Sequence, residues 1–242
     1  MCFSATASFT AAGIIATVGL FALSKARTYP MYMFAATPLF FALQQALEGI
    51  VWVTLTQGDS ASFMNKVGVY GFLFFAGVFW TVWVTSCLCL IEDNKKRKDA
   101  LFIIFLVGIV AACKVLFRLI FQNHTAEIMN HHISYPMFAL TYAPGSTHPV
   151  IYFQFLDLLL TAAYLIAVIV PFFISSVKGM WFIGLVTAIG FIVAETFYVL
   201  EFGSVWCFFG AISTIATYYI VVNYNKTHPN TDSNKGISTY HR

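Results

Sequence analysis

The segment FFALQQALEGIVW, residues 40–52, places two amides and one carboxylate inside an apolar run. Gln44 and Glu48 are four residues apart, so on a helix they share one face. A charged side chain in a bilayer interior costs about 2.5 to 3.5 kcal/mol on insertion scales. Because leucine would insert more easily, these residues and Gln45 indicate a site for acid–base chemistry, cation binding or ligand binding.

Ionisable residues recur in three later apolar segments, each with a polar residue three or four positions away on the same helical face. Each segment, if helical, therefore presents one polar stripe. The three pairs are Lys114 with Arg118, Asp157 with Gln154, and Glu195 with Tyr198.

Membrane-spanning helices are the elements that must position these residues. Of the 242 residues, 60% are hydrophobic and 10% are charged, and the mean hydropathy is +0.80; a soluble domain carries about a quarter charged residues. The apolar runs are continuous rather than alternating, which favours helices over barrel strands. We predict an all-α polytopic membrane protein, a seven-transmembrane-helix bundle. The predicted spans are 8–24, 30–55, 65–91, 100–122, 150–174, 180–202 and 204–224.

The placement of lysine and arginine predicts the direction of this bundle. Ten of the 13 basic residues fall in the odd-numbered loops and the C-terminal tail, whereas only Lys66 falls in a loop on the other side. The N-terminus is therefore predicted outside and the C-terminus in the cytoplasm. We expect one transmembrane domain, 1–224, and a polar, disordered cytoplasmic tail, 225–242. The expected location is the bacterial inner membrane, with membrane lipids as partners and no nucleic acid.

Four ionisable residues fall at one depth once the spans are directed. Glu48, Lys114, Asp157 and Glu195 each lie seven or eight residues from the outer end of their span, which is about 10 Å below the outer surface. One ion pair would need no function beyond joining two helices, but four such groups at one depth favour a functional site. We predict that they line one cavity that opens outward. The ligand-binding residues expected there are Gln44, Gln45, Arg118, Gln154, Tyr198 and Trp206.

Such a cavity is compatible with several classes of function. In an enzyme, Glu48, Glu195 or Asp157 would perform acid–base catalysis, and Lys114 would stabilise an anionic group of an amphipathic or lipid-like substrate. A divalent metal ion would make the enzyme a metal-assisted hydrolase. In a binding protein or transporter, the cavity would hold a cation, a proton or a small ligand. A purely structural role is the third possibility. The predicted metal ligands are Glu48, Asp157 and Glu195.

Cysteines and histidines add two further candidates at the predicted outer face. Cys2 and Cys207 both fall there, where a disulfide, a shared ligand or a reactive thiol are the alternatives. Four histidines lie in the predicted outer loop 123–149. Their spacing is poor for a metal site, so solvated histidines are the simpler interpretation. These histidines are His124, His131, His132 and His148.

Three segments resemble an uncharacterised family of small bacterial multi-spanning proteins that begin Met-Cys-Phe-Ser-Ala. The segments are MCFSATASF, PLFFALQQALEGIVW and SVWCFFGA. The resemblance covers most of the chain. It implies a membrane fold but no established activity, so it implies no catalytic residues. The similar segments contain Cys2, Gln44, Gln45, Glu48, Trp206 and Cys207.

Overall fold

A computed structural model describes residues 4–129, 131–138, 151–199 and 201–228, apart from the side chains of 138 and 151–156. Helices make up most of this part of the chain. A π-helical turn, Phe75–Phe79, joins the fourth helix to the fifth. Strands β1 (Glu127–Met129) and β2 (His132–Ser134) and a 3-10 turn (Pro136–Phe138) follow the sixth. The helices are α1 (Ala5–Lys25), α2 (Tyr29–Ala35), α3 (Thr37–Thr56), α4 (Phe63–Phe74), α5 (Trp80–Ile91), α6 (Lys95–Phe121), α7 (Ile151–Ile169), α8 (Pro171–Ile174), α9 (Met180–Phe197), α10 (Phe202–Ser213) and α11 (Ile215–Thr227).

Side-chain caps determine where three of these helices begin. Ser4, Ser62 and Asn94 precede α1, α4 and α6, and each side-chain oxygen accepts a hydrogen bond from the backbone N–H three residues later. The donor–acceptor distances are 3.1 to 3.2 Å. These caps satisfy N–H groups of the first helical turn, which have no partner within the helix.

Six helical stretches within the described residues are long and apolar enough to cross a membrane. In the predicted fifth span, the part of α7 from Asp157 to Ile169 is a shorter apolar helix. The helical, membrane-compatible architecture expected from composition is therefore present, with the β1–β2 hairpin as an addition. The six stretches are Ala5–Lys25, Tyr29–Thr56, Phe63–Ile91, Lys95–Phe121, Met180–Phe197 and Phe202–Thr227.

Four of the predicted spans are interrupted within their length in the described structure. Pro38 lies in the first turn of α3, which begins at Thr37 just after α2 ends, and Pro171 is the first residue of α8, which follows α7. Proline lacks a backbone N–H, so it fits the first turn of a helix and not its interior. The last span divides at Thr214, and the third contains the π-helical turn Phe75–Phe79.

The helix boundaries differ from two of the predicted spans by a few residues. The predicted spans 180–202 and 204–224 are separated at Gly203, but α9 ends at Phe197 and α10 begins at Phe202. Gly203 therefore lies inside α10, and Glu201 occupies the N-cap position. The last helix ends at Thr227, and the end of the transmembrane domain at 224 stays a prediction. Residues 229–242 of the predicted tail lie outside the described residues.

Helix α1 packs along α3 in the antiparallel direction. At one end of the contact, Phe9 covers Gly49, where an added Cβ would lie 2.8 Å from the phenyl ring. At the other end, Gly19 faces Leu39 at a similarly short distance. The absence of a side chain at both glycines allows the two helices to approach closely, as small residues do at helix contacts in membranes.

The β1–β2 hairpin folds back onto the helical bundle. The strands pair antiparallel, with Ile128 opposite Ile133, and His131 adopts a positive φ of 61° at the turn. Ile133 and Tyr135 are buried, and the Tyr135 ring stacks on Phe72 of α4 at a centroid distance of 4.4 Å. These two residues of the predicted outer loop 123–149 therefore belong to the packed core rather than to a solvated segment.

Glu92 joins two loops at the opposite end of α6 from this hairpin. One carboxylate oxygen accepts from the Asn94 N–H at 3.1 Å and from the Ser176 hydroxyl at 2.8 Å. The other accepts from the Ser176 N–H at 2.7 Å. Burial alone would raise the pKa of Glu92, but these hydrogen bonds, with the charge of Arg97, bring the pKa below its ordinary value.

Candidate functional site

The structure divides the predicted site residues between two places. Glu48, Gln44 and Gln45 form a fully buried network that joins α3 to α5 and α10. Lys114 and Asp157 lie instead in an open cleft between α6 and α7. The common depth inferred from the sequence therefore does not correspond to one shared cavity among the described residues.

Glu48 is held by hydroxyl and amide donors. One carboxylate oxygen accepts a short hydrogen bond from Ser204 Oγ, and the other accepts from Gln45 Nε2 at 3.3 Å. Within the described structure, no lysine, arginine or histidine forms an ion pair with this carboxylate. The residue is completely excluded from solvent, so these neutral donors replace the water that an exposed carboxylate would have.

Gln44 continues the network, one helical turn before Glu48. Its amide nitrogen donates to Cys207 Sγ at 3.1 Å, and its amide oxygen accepts from Trp80 Nε1 at 2.7 Å. Because Cys207 and Ser204 are three residues apart on α10, they meet the two polar residues of the α3 face together. The i,i+4 spacing on α3 and the i,i+3 spacing of Ser204 and Cys207 on α10 thus correspond to one helix–helix contact.

Three buried polar atoms near α3 have no hydrogen-bond partner among the described residues. They are Gln45 Oε1, Ser8 Oγ and Trp52 Nε1. Trp52 follows Glu48 by one turn, and Ser8 precedes Phe9, whose ring covers Gly49. Buried polar atoms are normally hydrogen-bonded, commonly through ordered water. The α1–α3 contact therefore has unused hydrogen-bonding capacity close to Glu48.

A cavity of about 60 Å³ lies on the other side of Gln44. It is bounded at the helix interruptions, by Thr37 at the start of α3, Phe172 in α8 and Thr214 between α10 and α11. Aromatic rings form much of its wall, and Phe41 stacks on Trp80 at a centroid distance of 3.8 Å. The aromatic residues in the wall include Phe34, Phe41, Trp80, Trp83, Tyr164 and Trp206.

The indole N–H groups of this wall are bonded to the protein itself. The indole N–H of Trp83 donates to Thr37 Oγ1 at 3.1 Å, and that of Trp206 donates to the Thr187 carbonyl at 2.9 Å. The Trp80 N–H donates to the amide oxygen of Gln44. Thr214 donates its hydroxyl back to the helix backbone at Ala211. The wall consequently offers a ligand mainly ring faces and methyl groups.

The cleft between α6 and α7 has a volume of about 110 Å³, and charged side chains line it together with apolar ones. Lys114 Nζ lies 2.5 Å from Asp157 Oδ1, and their side chains are 20% and 60% exposed. Arg118, one turn along α6, lines the same cleft. Tyr164 lines both this cleft and the aromatic cavity, so its ring stands between the two spaces.

Tyr164 is fixed by the π-helical turn. Its hydroxyl donates to the Ala76 carbonyl at 2.6 Å, and the Gly77 carbonyl accepts from the Thr81 hydroxyl at 3.1 Å. A π-helical turn interrupts the i→i+4 ladder and exposes carbonyl groups to side chains. The π-helical turn thus fixes the Tyr164 ring between the cleft and the cavity.

The remaining predicted site residues are dispersed. The side chain of Glu195 is half-buried and takes part in no hydrogen bond or ion pair among the described residues. Trp206 lines the aromatic cavity, and the Tyr198 ring lies 5.1 Å from that of His132. Cys207 is buried and forms no disulfide with another described cysteine. Cys2 and the side chain of Gln154 lie outside the described residues, so the pairing of Cys2 with Cys207 stays a prediction.

The predicted metal site is not assembled in the described part of the chain. No group of three or more histidine, cysteine, aspartate or glutamate side chains is placed to hold a metal ion there. The predicted ligands Glu48 and Asp157 belong to the network and the cleft, respectively. Of the loop histidines, His124 Nε2 lies 3.0 Å from the Arg118 carbonyl and His131 is exposed. His148 falls outside the described residues.

The aromatic cavity was not predicted from the sequence. Its wall comes from residues that are far apart in the chain and individually typical of a membrane helix. The available signals were Pro38 and Pro171, which mark helix interruptions, and the spacing of Trp80 and Trp83.

Comparison with known proteins identifies a family without an assigned activity. A family model described as a family of unknown function, DUF6629, matches residues 1–232. No curated protein and no solved structure matches the chain.

Proposed function

We propose that this chain, which belongs to the family of unknown function DUF6629, is a membrane protein that binds a small, mainly apolar ligand. The observation that supports this function is the aromatic cavity, an apolar space of about 60 Å³ between the helices. Ligand sites in proteins are concave and lined mostly by apolar and aromatic side chains. A bilayer supplies apolar molecules directly to such a site.

The chemistry of the wall supports an apolar ligand. The three indole N–H groups of the wall, those of Trp80, Trp83 and Trp206, donate to protein acceptors. A polar ligand would lose its hydrogen bonds to water without replacing them, which costs about 1 to 3 kcal/mol for each group. Apolar cavities of this kind stay dry and take up hydrocarbon-like molecules.

Glu48 acts as a positioning residue in this proposal. Among the described residues, the cavity wall includes Cys207 and Trp80 but not Glu48. Gln44 fixes both wall residues, and Glu48 ties α10 to α3 through Ser204. A carboxylate behind the wall favours a binding protein over the enzyme that the sequence suggested, since a catalytic base must reach the substrate.

We also propose the full topology expected from the sequence. Helix α7 is the remaining span, the N-terminus is outside and the C-terminus is in the cytoplasm. The six long apolar stretches and the loop bias of lysine and arginine support this arrangement. The proposed location is the bacterial inner membrane.

Quenching of intrinsic tryptophan fluorescence by a brominated alkane tests the binding function. Three of the five tryptophans line the cavity, so 1-bromodecane should quench the purified protein saturably. Thr217→Leu fills the cavity from α11, where Thr217 is buried in the wall, and should weaken the apparent affinity about tenfold. Thr17→Leu is the matched control, because Thr17 is exposed on α1. Unsaturable quenching, or equal affinity in both variants, would reject the proposal.

A further inference from the structure

We infer that the cleft between α6 and α7 binds the anionic headgroup of a single-chain amphiphile, whose chain enters the aromatic cavity past Tyr164. This inference rests on the proposed function and adds the chemical class of the ligand. It is based on three observations: the charges in the cleft, its apolar inner end, and the wall it shares with the cavity.

The charged end of the cleft has one more cation than anions among its described lining residues. Lys114 is paired with Asp157 at 2.5 Å. Arg118 lines the same space, and its closest described side-chain partner is the neutral amide of Gln122, with Nε 3.4 Å from Oε1. An unpaired guanidinium within an apolar helix is costly. Its planar group of donors suits a carboxylate or phosphate, which it can bind through two hydrogen bonds.

The inner end of the cleft is apolar. Leu165, Phe191 and Phe202 line it beside Tyr164. A ligand that fills the cleft therefore needs an anion at one end and a hydrocarbon at the other. A free inorganic anion would leave the apolar end unfilled, and a neutral hydrocarbon would leave Arg118 without a counterion.

Tyr164 controls the connection between the two spaces. Its ring lines both, and one hydrogen bond, to the Ala76 carbonyl, fixes its hydroxyl. On the cavity side, the ring meets Trp206 edge to face at a centroid distance of 5.8 Å. A passage bounded by one aromatic ring suits one hydrocarbon chain. The hydrocarbon chain of the ligand would then end among tryptophan rings, and quenching of their fluorescence would show that it has entered the cavity.

The test compares a long-chain acid with its alcohol. The probes are 16-bromohexadecanoic acid and 16-bromohexadecanol, and the readout is quenching of tryptophan fluorescence in the detergent-purified protein. The acid should bind about tenfold more tightly than the alcohol, the order expected for one charge-assisted pair. Arg118→Gln should remove this preference, whereas Arg27→Gln, at an exposed loop arginine, should keep it. Thermal unfolding confirms that each variant is folded.

The outcomes separate this inference from the proposed function. Equal affinity for acid and alcohol in the wild type, or an unchanged preference in Arg118→Gln, would overturn the inference and leave apolar binding intact. Displacement of the acid by millimolar acetate would assign the cleft to a free anion and would also overturn it. Failure of both probes and of 1-bromodecane to quench would reject the proposed function as well.

A kinetic variant tests the role of Tyr164. Tyr164→Phe keeps the ring and removes the hydrogen bond to Ala76. The acid should then reach the tryptophans about three- to tenfold faster, as expected for the loss of about 1 kcal/mol from one hydrogen bond. The ratio of acid to alcohol affinity should not change. An unchanged association rate would show that Tyr164 does not separate the two spaces.

Discussion

Ser204 of α10 donates a short hydrogen bond to the carboxylate of Glu48 on α3, although the two residues are 156 positions apart in the chain. This bond, with that of Gln44 to Cys207, fixes the rotation of α10 relative to α3. The same face of α10 contributes to the wall of the aromatic cavity. The polar residues that are expensive to insert in a membrane thus determine the shape of an apolar space beside them.

Glu48→Gln should keep most of the fold, whereas Glu48→Ala should not. Glutamine retains an oxygen that can accept from Ser204. Alanine leaves the donors of Ser204 and Gln45 without that acceptor, at a cost of about 1 to 3 kcal/mol for each buried group. Thermal unfolding in detergent measures the difference, and Glu48→Ala should unfold at the lower temperature. Equal unfolding temperatures for the two variants would contradict the structural role assigned to the carboxylate.

Gln44→Leu should weaken ligand binding and redshift tryptophan emission. The substitution removes the acceptor of the Trp80 indole and the donor to Cys207, so the wall loses two buried hydrogen bonds, each worth about 1 kcal/mol. Quenching by 1-bromodecane and the emission maximum are the measurements. Gln57→Leu provides the control, since Gln57 is exposed at the end of α3. If both variants behave alike, Gln44 does not support the cavity.

Acid should destabilise the junction around Glu92. The pKa of this carboxyl lies below its ordinary value near 4.5, so its hydrogen bonds to Ser176 stabilise the folded state above that pH. This contribution declines as the pH falls through the depressed pKa of the folded state. Unfolding temperatures measured from pH 6 to pH 3 should therefore fall more steeply for the wild type than for Glu92→Gln. Parallel pH profiles would argue against this assignment.

Reporter fusions should resolve the topology. A cytoplasmic reporter placed after Asn94 or at the C-terminus should be active, and one inserted at His131 should be inactive. The reason is the concentration of lysine and arginine in the loops of one side. An active reporter at His131, or an inactive one at the C-terminus, would reverse or change the proposed arrangement.

The sequence predicted relationships within a helix better than those between helices. Gln44 and Glu48 do share a buried face, and Lys114 and Arg118 do line one cleft, because a spacing of four residues fixes direction on a helix. The common depth of the four ionisable residues stays a prediction. Their positions around the bundle could not be inferred, since these depend on which helices pack together over long distances in the chain. Lys114 consequently pairs with Asp157 rather than with Glu48.

The β1–β2 hairpin and the π-helical turn were likewise absent from the sequence predictions. The hairpin strands are three residues each, too short for an alternating pattern to be recognised. The π-helical turn contains FAGVF, an ordinary apolar segment. It becomes distinctive only through the tertiary bond from Tyr164 to Ala76.

The interruptions divide four spans into shorter helices, several of which meet at the cavity. A continuous helix can tilt only as a whole, but two helices joined at Ala36 or Thr214 can change their mutual angle while each keeps its own backbone hydrogen bonds. Hinges of this kind need to alter the torsion angles of only a few residues. We therefore expect the cavity to adapt to guests of different length by bending at these joints, without the unfolding of any helix.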